Sequence, residues 1–268
     1  MTAPRPVVLT VAGSDPSGGA GLQADLKTIH QHGGYGAAVP TLITVQSTQG
    51  VEGVSPLRAD LVRAQLAAVL SDLEPRAAKT GALGSIGVAH LLGTVMEQTE
   101  FPWVVDPVWL PSRGRPLSSA KVVDAYCEAV IPHAAVVTPN LQEARTLTGM
   151  PIRDLRQMRQ AARQIVALGA RAVLLKGGHL EGSARGTDVL VIGEEIHELP
   201  AAEIYPGPFH GTGCALSAAI TTRLAFGEEI LPAVLRAKTW LTGALAHAFP
   251  VGKGAMPVNH FWRIPDET

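Results

Sequence analysis

Two glycine-rich segments carry residue types suited to handling anions. The first is AGSDPSGGAG, residues 12–21, and the second is HGTGC, residues 210–214, which runs straight into ALSAAITTRLAFG. A helix N-terminus exposes unpaired N–H groups and about half a positive charge, and glycines there let an anion approach the backbone. Gly211, Thr212 and Gly213 therefore form a credible anion hole at the start of a helix. The same field lowers a thiol's pKa, so Cys214 is expected to be more reactive than Cys127, which sits in the apolar stretch AYCEAVI. For Cys214 the alternative is a small residue chosen for packing; for Cys127 packing is the expectation. The first segment is neither G-x-G-x-x-G nor a P-loop, because Gly19 and Ala20 follow Gly18 where Lys and Ser or Thr would be needed. It is either a phosphate cradle or a turn into the helix that carries Asp25.

Short β-branched runs must position these segments. VVLTVAG (7–13), AAKTG (77–81), WVVDP (103–107), AVVTPN (135–140) and AVLLKGG (172–178) are apolar and closed by Gly, Pro or a polar residue, which predicts buried strands. Leu61, Val62, Leu66, Val69, Leu70 and Leu73 recur at helical spacing, as do Leu155, Met158, Ala162, Ile165, Val166 and Leu168 before Gly169. This alternation predicts an α/β fold of parallel strands joined by right-handed crossovers. VLVIGEEIHEL (189–199), with Gly193 at its centre, predicts an antiparallel hairpin. No internal repeat or low-complexity linker divides the chain, so one domain over 1–268 is expected.

In such sheets ligands gather beyond the carboxyl ends of the strands. The residues closing the predicted strands are unusually polar: Gly13-Ser14-Asp15, Lys79-Thr80, Asp106, Thr138-Pro139-Asn140 and Lys176. Five strand ends from separate parts of the chain point to one crevice. Lys176 ends an apolar strand and has no structural reason to be there unless it meets phosphate or a carboxylate.

Composition narrows the partners. The 268 residues carry a net charge of −1 with no basic run, so neither nucleic acid nor a membrane surface is an expected partner. No apolar stretch approaches the roughly 18 residues of a membrane span. The short apolar run of MTAPRPVVLTVAG breaks at Gly13, unlike a secretory signal, and two cysteines make no disulfide framework. A reduced, cytoplasmic protein is the expectation.

AGSDPSGGAGLQADLKT, TVQST, KTGALGS, VVDPV, TPNLQEA, LLKGGHLEG, HGTGCALSAAI and VGKG follow one another from about residue 7 to residue 261. Together they resemble the hydroxymethylpyrimidine and phosphomethylpyrimidine kinases, thiamin-pathway members of the ribokinase-like superfamily. Any one motif is only suggestive; eight in series are specific. The resemblance implies a central, mostly parallel sheet flanked by helices on both faces, and transfer of the γ-phosphoryl group of ATP to a hydroxymethyl on an aminopyrimidine, then a second transfer to the monophosphate. It implies ATP and Mg²⁺ as cofactors and a homodimer. Cys214 matches the position of the catalytic base in related sugar kinases, with Gly211, Thr212 and Gly213 receiving developing charge.

Other roles follow from the same resemblance. Gln46 matches a pyrimidine-reading glutamine, whose amide is both donor and acceptor; a polar strand-end residue is its alternative. Gly13, Asp25 and Val108 match substrate-pocket positions, with a surface role as the alternative for Asp25. Asn140 and Glu143 match an N-x-x-E element for metal and phosphates, although a helix cap would give the same spacing. Lys176 is implied as a phosphate ligand, and Asp106 either binds Mg²⁺ through water or begins a turn before Pro107. Two departures stand out, Ala82 and Trp109, where the family commonly carries methionine; the pair either repacks one pocket or admits a different ring. Arg115, in the unusually basic SRGRPL (112–117), is a candidate phosphate contact. A pyridoxal-type vitamin kinase is the nearest rival, and a non-catalytic binding protein of this fold a third reading; loss of Cys214 or Lys176 would have favoured the latter, and both are present.

Overall fold

The computed structural model describes residues 4–111, 114–178, 180 and 184–263. Nine strands form one sheet in the order β3-β2-β1-β4-β5-β6-β7-β8-β9. They are β1 (Val7–Gly13), β2 (Tyr35–Ser47), β3 (Gly50–Pro56), β4 (Pro75–Thr80), β5 (Trp103–Val105), β6 (Val136–Val137), β7 (Ala172–Leu175), β8 (Asp188–Ile192) and β9 (Glu195–Leu199). Pairing is parallel from β2 through β1, β4, β5 and β6 to β7. It is antiparallel at both edges, β2 with β3 and β7 with β8 with β9. The predicted hairpin is β8–β9, and Gly193 turns it with φ 55°. The β2–β3 hairpin was not expected from the sequence.

The central strands are apolar on both faces because both are covered. Side chains alternate across a strand, so Leu9, Trp103, Val105, Val137, Val173 and Leu175 enter one core while Val8, Val104, Val136, Ala172 and Leu174 enter the other. The first core is closed by α2 (Ala59–Asp72), α3 (Ile86–Glu97), α4 (Val122–Ala125) with its π-helical continuation Tyr126–Val130, α5 (Leu141–Thr148) and α6 (Leu155–Val166). The second is closed by α1 (Gly21–Gln31), α7 (Thr212–Ala225) and α8 (Ile230–Ala246). Helices thus lie on both sides of a mostly parallel sheet, as the α/β reading requires.

A small parallel pair, β10 (Phe209–His210) with β11 (Met256–Pro257), leads into α7. The late VGKG segment braces the β2–β3 turn: Gly254 N–H donates to Thr48 Oγ1 at 3.1 Å and Ala255 N–H to the Thr48 carbonyl at 2.9 Å. No described helix is long and apolar enough to cross a membrane.

Candidate active site

The carboxyl ends of β1, β4, β5, β6 and β7 open onto one cavity of about 330 Å³. Its walls include Gly13, Gln46, Val108, Asp106, Asn140, Glu143, Lys176, Gly211, Thr212, Gly213 and Cys214. Residues predicted separately from distant motifs therefore meet in a single crevice. Asp25 does not line it. Buried completely behind the wall, Asp25 pairs with Lys79 Nζ at 2.6 Å and accepts from Thr10 Oγ1 at 2.6 Å. It is not a surface residue, and in this structure it does not reach the cavity where the resemblance implies a substrate contact.

The N-terminus of α7, the expected anion hole, is built by a sharp backbone turn. Gly211 is the N-cap of α7 with φ 79°, and a Cβ there would collide with the Gly19 carbonyl. The first glycine segment is thus the abutment of the second: it turns at Gly18 and Gly21, with Asp15 holding the loop through Ser17 and Ala20 N–H groups. A Cβ on Gly213 would stand 3.2 Å from Lys176 Nζ and 3.6 Å from Asp106 Oδ2, so its bareness leaves the lysine reachable from the helix end.

Lys176 does meet a carboxylate. Its Nζ lies 3.2 Å from Asp106 Oδ1, which also accepts from Thr138 Oγ1 at 3.0 Å. Burial by itself would lower the lysine's pKa, but Asp106 and Glu143 outweigh it and raise it, so Lys176 is firmly cationic. Asn140 and Glu143 form a reciprocal capping box on α5, at 2.9 and 2.7 Å. The cap and a place on the cavity wall coexist: Glu143 is 5% exposed, and burial pushes its carboxyl up to about 7, against the pull of Lys176 and with Asp106 adding to the rise.

Cys214 corrects the sequence expectation. The residue lines the cavity and is partly exposed, yet the loss of water around its thiol pushes the pKa up to about 12. The Lys79 charge and the Gly21 N–H oppose that rise without cancelling it. The sulfur is a neutral thiol near pH 7. Cys127, half-buried in the π-helical turn, is also raised by burial.

Gln46 reaches the cavity from β2, whose end is tied to β1 by Ser14 N–H to the Leu42 carbonyl at 3.0 Å and Thr44 Oγ1 to the Ser14 carbonyl at 2.8 Å. His210 and Asp15 also line the cavity, His210 Nε2 lying 2.8 Å from Asp15 Oδ2 and 3.1 Å from Gln46 Nε2. Ala82 stands on the wall beside Leu42, Val108 and Leu117, an apolar side suited to a flat ring. Trp109 does not: it packs in the core, its ring 5.9 Å from that of Tyr126. Trp109 therefore does not compensate for Ala82 within the cavity. Arg115 is exposed, off the cavity wall, and joined to β3 through its N–H and the Val51 carbonyl at 3.0 Å. Ser112, Arg113, and His179 with Glu181 and Gly182 of LLKGGHLEG lie outside the described residues.

The sequence profile of the family described as phosphomethylpyrimidine kinase matches residues 15–259. A hydroxymethylpyrimidine/phosphomethylpyrimidine kinase of Streptomyces coelicolor is 42% identical over 98% of this chain and 99% of its own. The chain belongs to the phosphomethylpyrimidine kinase family. A phosphomethylpyrimidine kinase structure from Clostridium difficile superposes with TM-score 0.79, at 37% identity over 89% of this chain and 98% of that one. An ADP complex of Bacillus subtilis pyridoxal kinase superposes with TM-score 0.87, at 36% identity over 96% and 98%. The kinase fold is thus ribokinase-like, as the motifs implied.

Of the wall residues of this kinase, His210 is not among the expected site residues, and Asp15 is expected in the crevice but without a role. Asp15 was visible only as a polar strand end, and His210 only as the first letter of HGTGC.

Proposed function

We infer that this kinase transfers the γ-phosphoryl group of ATP to the hydroxymethyl oxygen of 4-amino-5-hydroxymethyl-2-methylpyrimidine, and then phosphorylates the monophosphate to the diphosphate. The observation that carries the reading is that one cavity is lined both by an amide with an apolar wall, Gln46, Val108 and Ala82, and by a helix N-terminus with a partly buried cation, Gly211 to Cys214 with Lys176. The hydroxymethyl oxygen attacks the γ-phosphorus, the bond to the β–γ bridging oxygen breaks, ADP leaves with that electron pair, and the hydroxyl proton passes to an oxygen of the transferred phosphoryl group. N–H groups of Gly211, Thr212 and Gly213 and the Lys176 ammonium receive the charge spread over the transferring oxygens. Cys214, a neutral thiol, orients the attacking hydroxyl; a loose transition state asks little of a base.

Mg²⁺ fits beside Lys176. Among the described residues no three His, Cys, Asp or Glu side chains gather into a metal cage, but Mg²⁺ characteristically takes one or two carboxylates, nucleotide phosphates and water. Asp106, Asn140 and Glu143 would hold it or its water shell, and Glu143, whose carboxyl burial raises to about 7, is the group of the wall that a cation would draw into its charged form. When bound, the ion neutralises phosphate charge. The reading includes a single kinase domain, the cytoplasm as its compartment, and a homodimer for which exposed Ile43 and Val45 on β2 supply apolar surface.

A pyridoxal-type activity is the second reading, favoured by the fit to the Bacillus pyridoxal kinase. Both are tested by coupled ADP-release assays with hydroxymethylpyrimidine and pyridoxal side by side, with mass detection of mono- and diphosphate. Diphosphate from hydroxymethylpyrimidine is expected; turnover of pyridoxal alone would overturn the assignment.

A further inference from the structure

Asp15 is 2% exposed and fully engaged as an acceptor. Its Oδ1 accepts from Ser17 N–H at 2.9 Å and Ser17 Oγ at 2.7 Å, and its Oδ2 from Ala20 N–H at 2.8 Å. Burial pulls the carboxyl's pKa upward, but hydrogen bonds from His210 and Ser17 prevail and hold it below the ordinary carboxylate value. An ionised carboxylate only accepts. His210 Nε2, 2.8 Å from Oδ2, must therefore carry a proton, whether the ring is neutral or cationic.

That proton constrains Gln46. The Gln46 Nε2 position lies 3.1 Å from the same ring nitrogen, where an amide N–H would face an imidazole N–H. Turning the amide by 180° exchanges oxygen and nitrogen without changing its shape. With oxygen there, the ring N–H is shared between Asp15 and Gln46, and every group has a partner. A carbonyl oxygen has two lone pairs, so one stays free toward the cavity beside the amide's N–H groups. The ring is also held in place from behind, since a Cβ on Gly19 would meet His210 Cδ2 at 2.5 Å.

We propose that His210, anchored by Asp15, is a positioning residue that fixes the Gln46 amide with its oxygen toward the imidazole, so that Gln46 presents an acceptor and a donor to the substrate ring in one set order. The proposal rests on the pyrimidine-kinase reading of Gln46. That order matches a ring edge bearing an amino group next to an unprotonated nitrogen; a flipped amide would set donor against donor.

A double-mutant cycle tests it. Gln46→Leu and His210→Phe should each raise KM for hydroxymethylpyrimidine about tenfold or more, one decade per 1.4 kcal/mol, with kcat of His210→Phe within about threefold of the unaltered enzyme. The double variant should match Gln46→Leu alone to within about twofold, because His210 acts through Gln46. KM effects that multiply, or a collapse of kcat at unchanged KM, would overturn the positioning role. Nitrogen-15 spectra of the histidine-labelled unaltered enzyme provide a readout independent of folding of the variants: a protonated Nε2 on His210 is expected, and a bare Nε2 would overturn the proposal. Failure of the substrate reading looks different, as absence of hydroxymethylpyrimidine turnover in the unaltered enzyme, and it would remove this role as well.

Discussion

Gly19 and His210 touch across the two glycine segments: a Cβ on Gly19 would stand 2.5 Å from His210 Cδ2, closer than real Cβ contacts come. The Gly19 backbone itself is not left-handed, so alanine strains only the contact. Gly19→Ala should tilt the imidazole, loosen Gln46 and raise KM for the pyrimidine about tenfold, or 1.4 kcal/mol, while KM for ATP stays within about twofold. A larger effect on ATP would return the first glycine segment to the role of phosphate cradle.

Burial acts on Cys214 against the Lys79 charge and the Gly21 N–H, and burial wins, taking the thiol to about 12. Since the thiolate is the species that alkylates, the rate of iodoacetamide inactivation in a Cys127→Ala background should be slow at neutral pH and climb about tenfold per pH unit past pH 9. A plateau by pH 8 would mean a poised thiolate. Cys214→Ala should lower kcat by about tenfold, the scale of one lost orienting hydrogen bond at about 1.4 kcal/mol, with KM for the pyrimidine little changed.

Signals that act within a few residues were legible in the sequence. The polar strand ends, the helix N-terminus at Gly211 and the Asn140–Glu143 spacing are local patterns, and they reach the cavity except for Lys79-Thr80, where Lys79 turns to Asp25 instead. What failed depends on partners far along the chain. Asp25 meets Lys79 54 positions away, and Asp15 meets His210 195 positions away, so no spacing rule links them. The helix field on Cys214 is local and was legible; its desolvation is tertiary and was not. The β2 strand was missed except for TVQST because its 13 residues include Gly36 and Pro40, and its outer part alternates between buried and exposed instead of reading as a continuous apolar run.

Glu143 titrates near neutrality, from an ordinary 4.5 to about 7, chiefly through burial. The folded protein then holds a proton that the unfolded chain releases, so this group's contribution to stability is present at low pH and is lost as pH rises from 4.5 through 7. A cation bound beside it pushes the proton off. Mg²⁺·nucleotide binding at pH 6.5 should therefore release protons, read by calorimetry in buffers of different ionisation enthalpy, and Glu143→Gln should abolish that release while raising the Mg²⁺ needed for half-maximal rate. Unchanged proton release and Mg²⁺ dependence would leave Glu143 as a helix cap alone.

The buried Asp25–Lys79 pair separates architecture from substrate contact. Both side chains are fully buried; burial raises the aspartate's pKa despite Lys79, while Asp25 outweighs burial to raise that of the lysine. Removing one partner strands the other charge, so Lys79→Met should cost about 3–5 kcal/mol of unfolding free energy, whereas removing a buried pair together is often near neutral. The double variant Asp25→Leu, Lys79→Met should accordingly be more stable than Lys79→Met alone in urea unfolding. If Asp25 serves the fold, the double variant should also keep KM for the pyrimidine within about threefold, because neither residue lines the cavity. A stable double variant that no longer binds the pyrimidine would instead make Asp25 a substrate ligand, reached by a movement of the wall formed by Gly13 and Gly21.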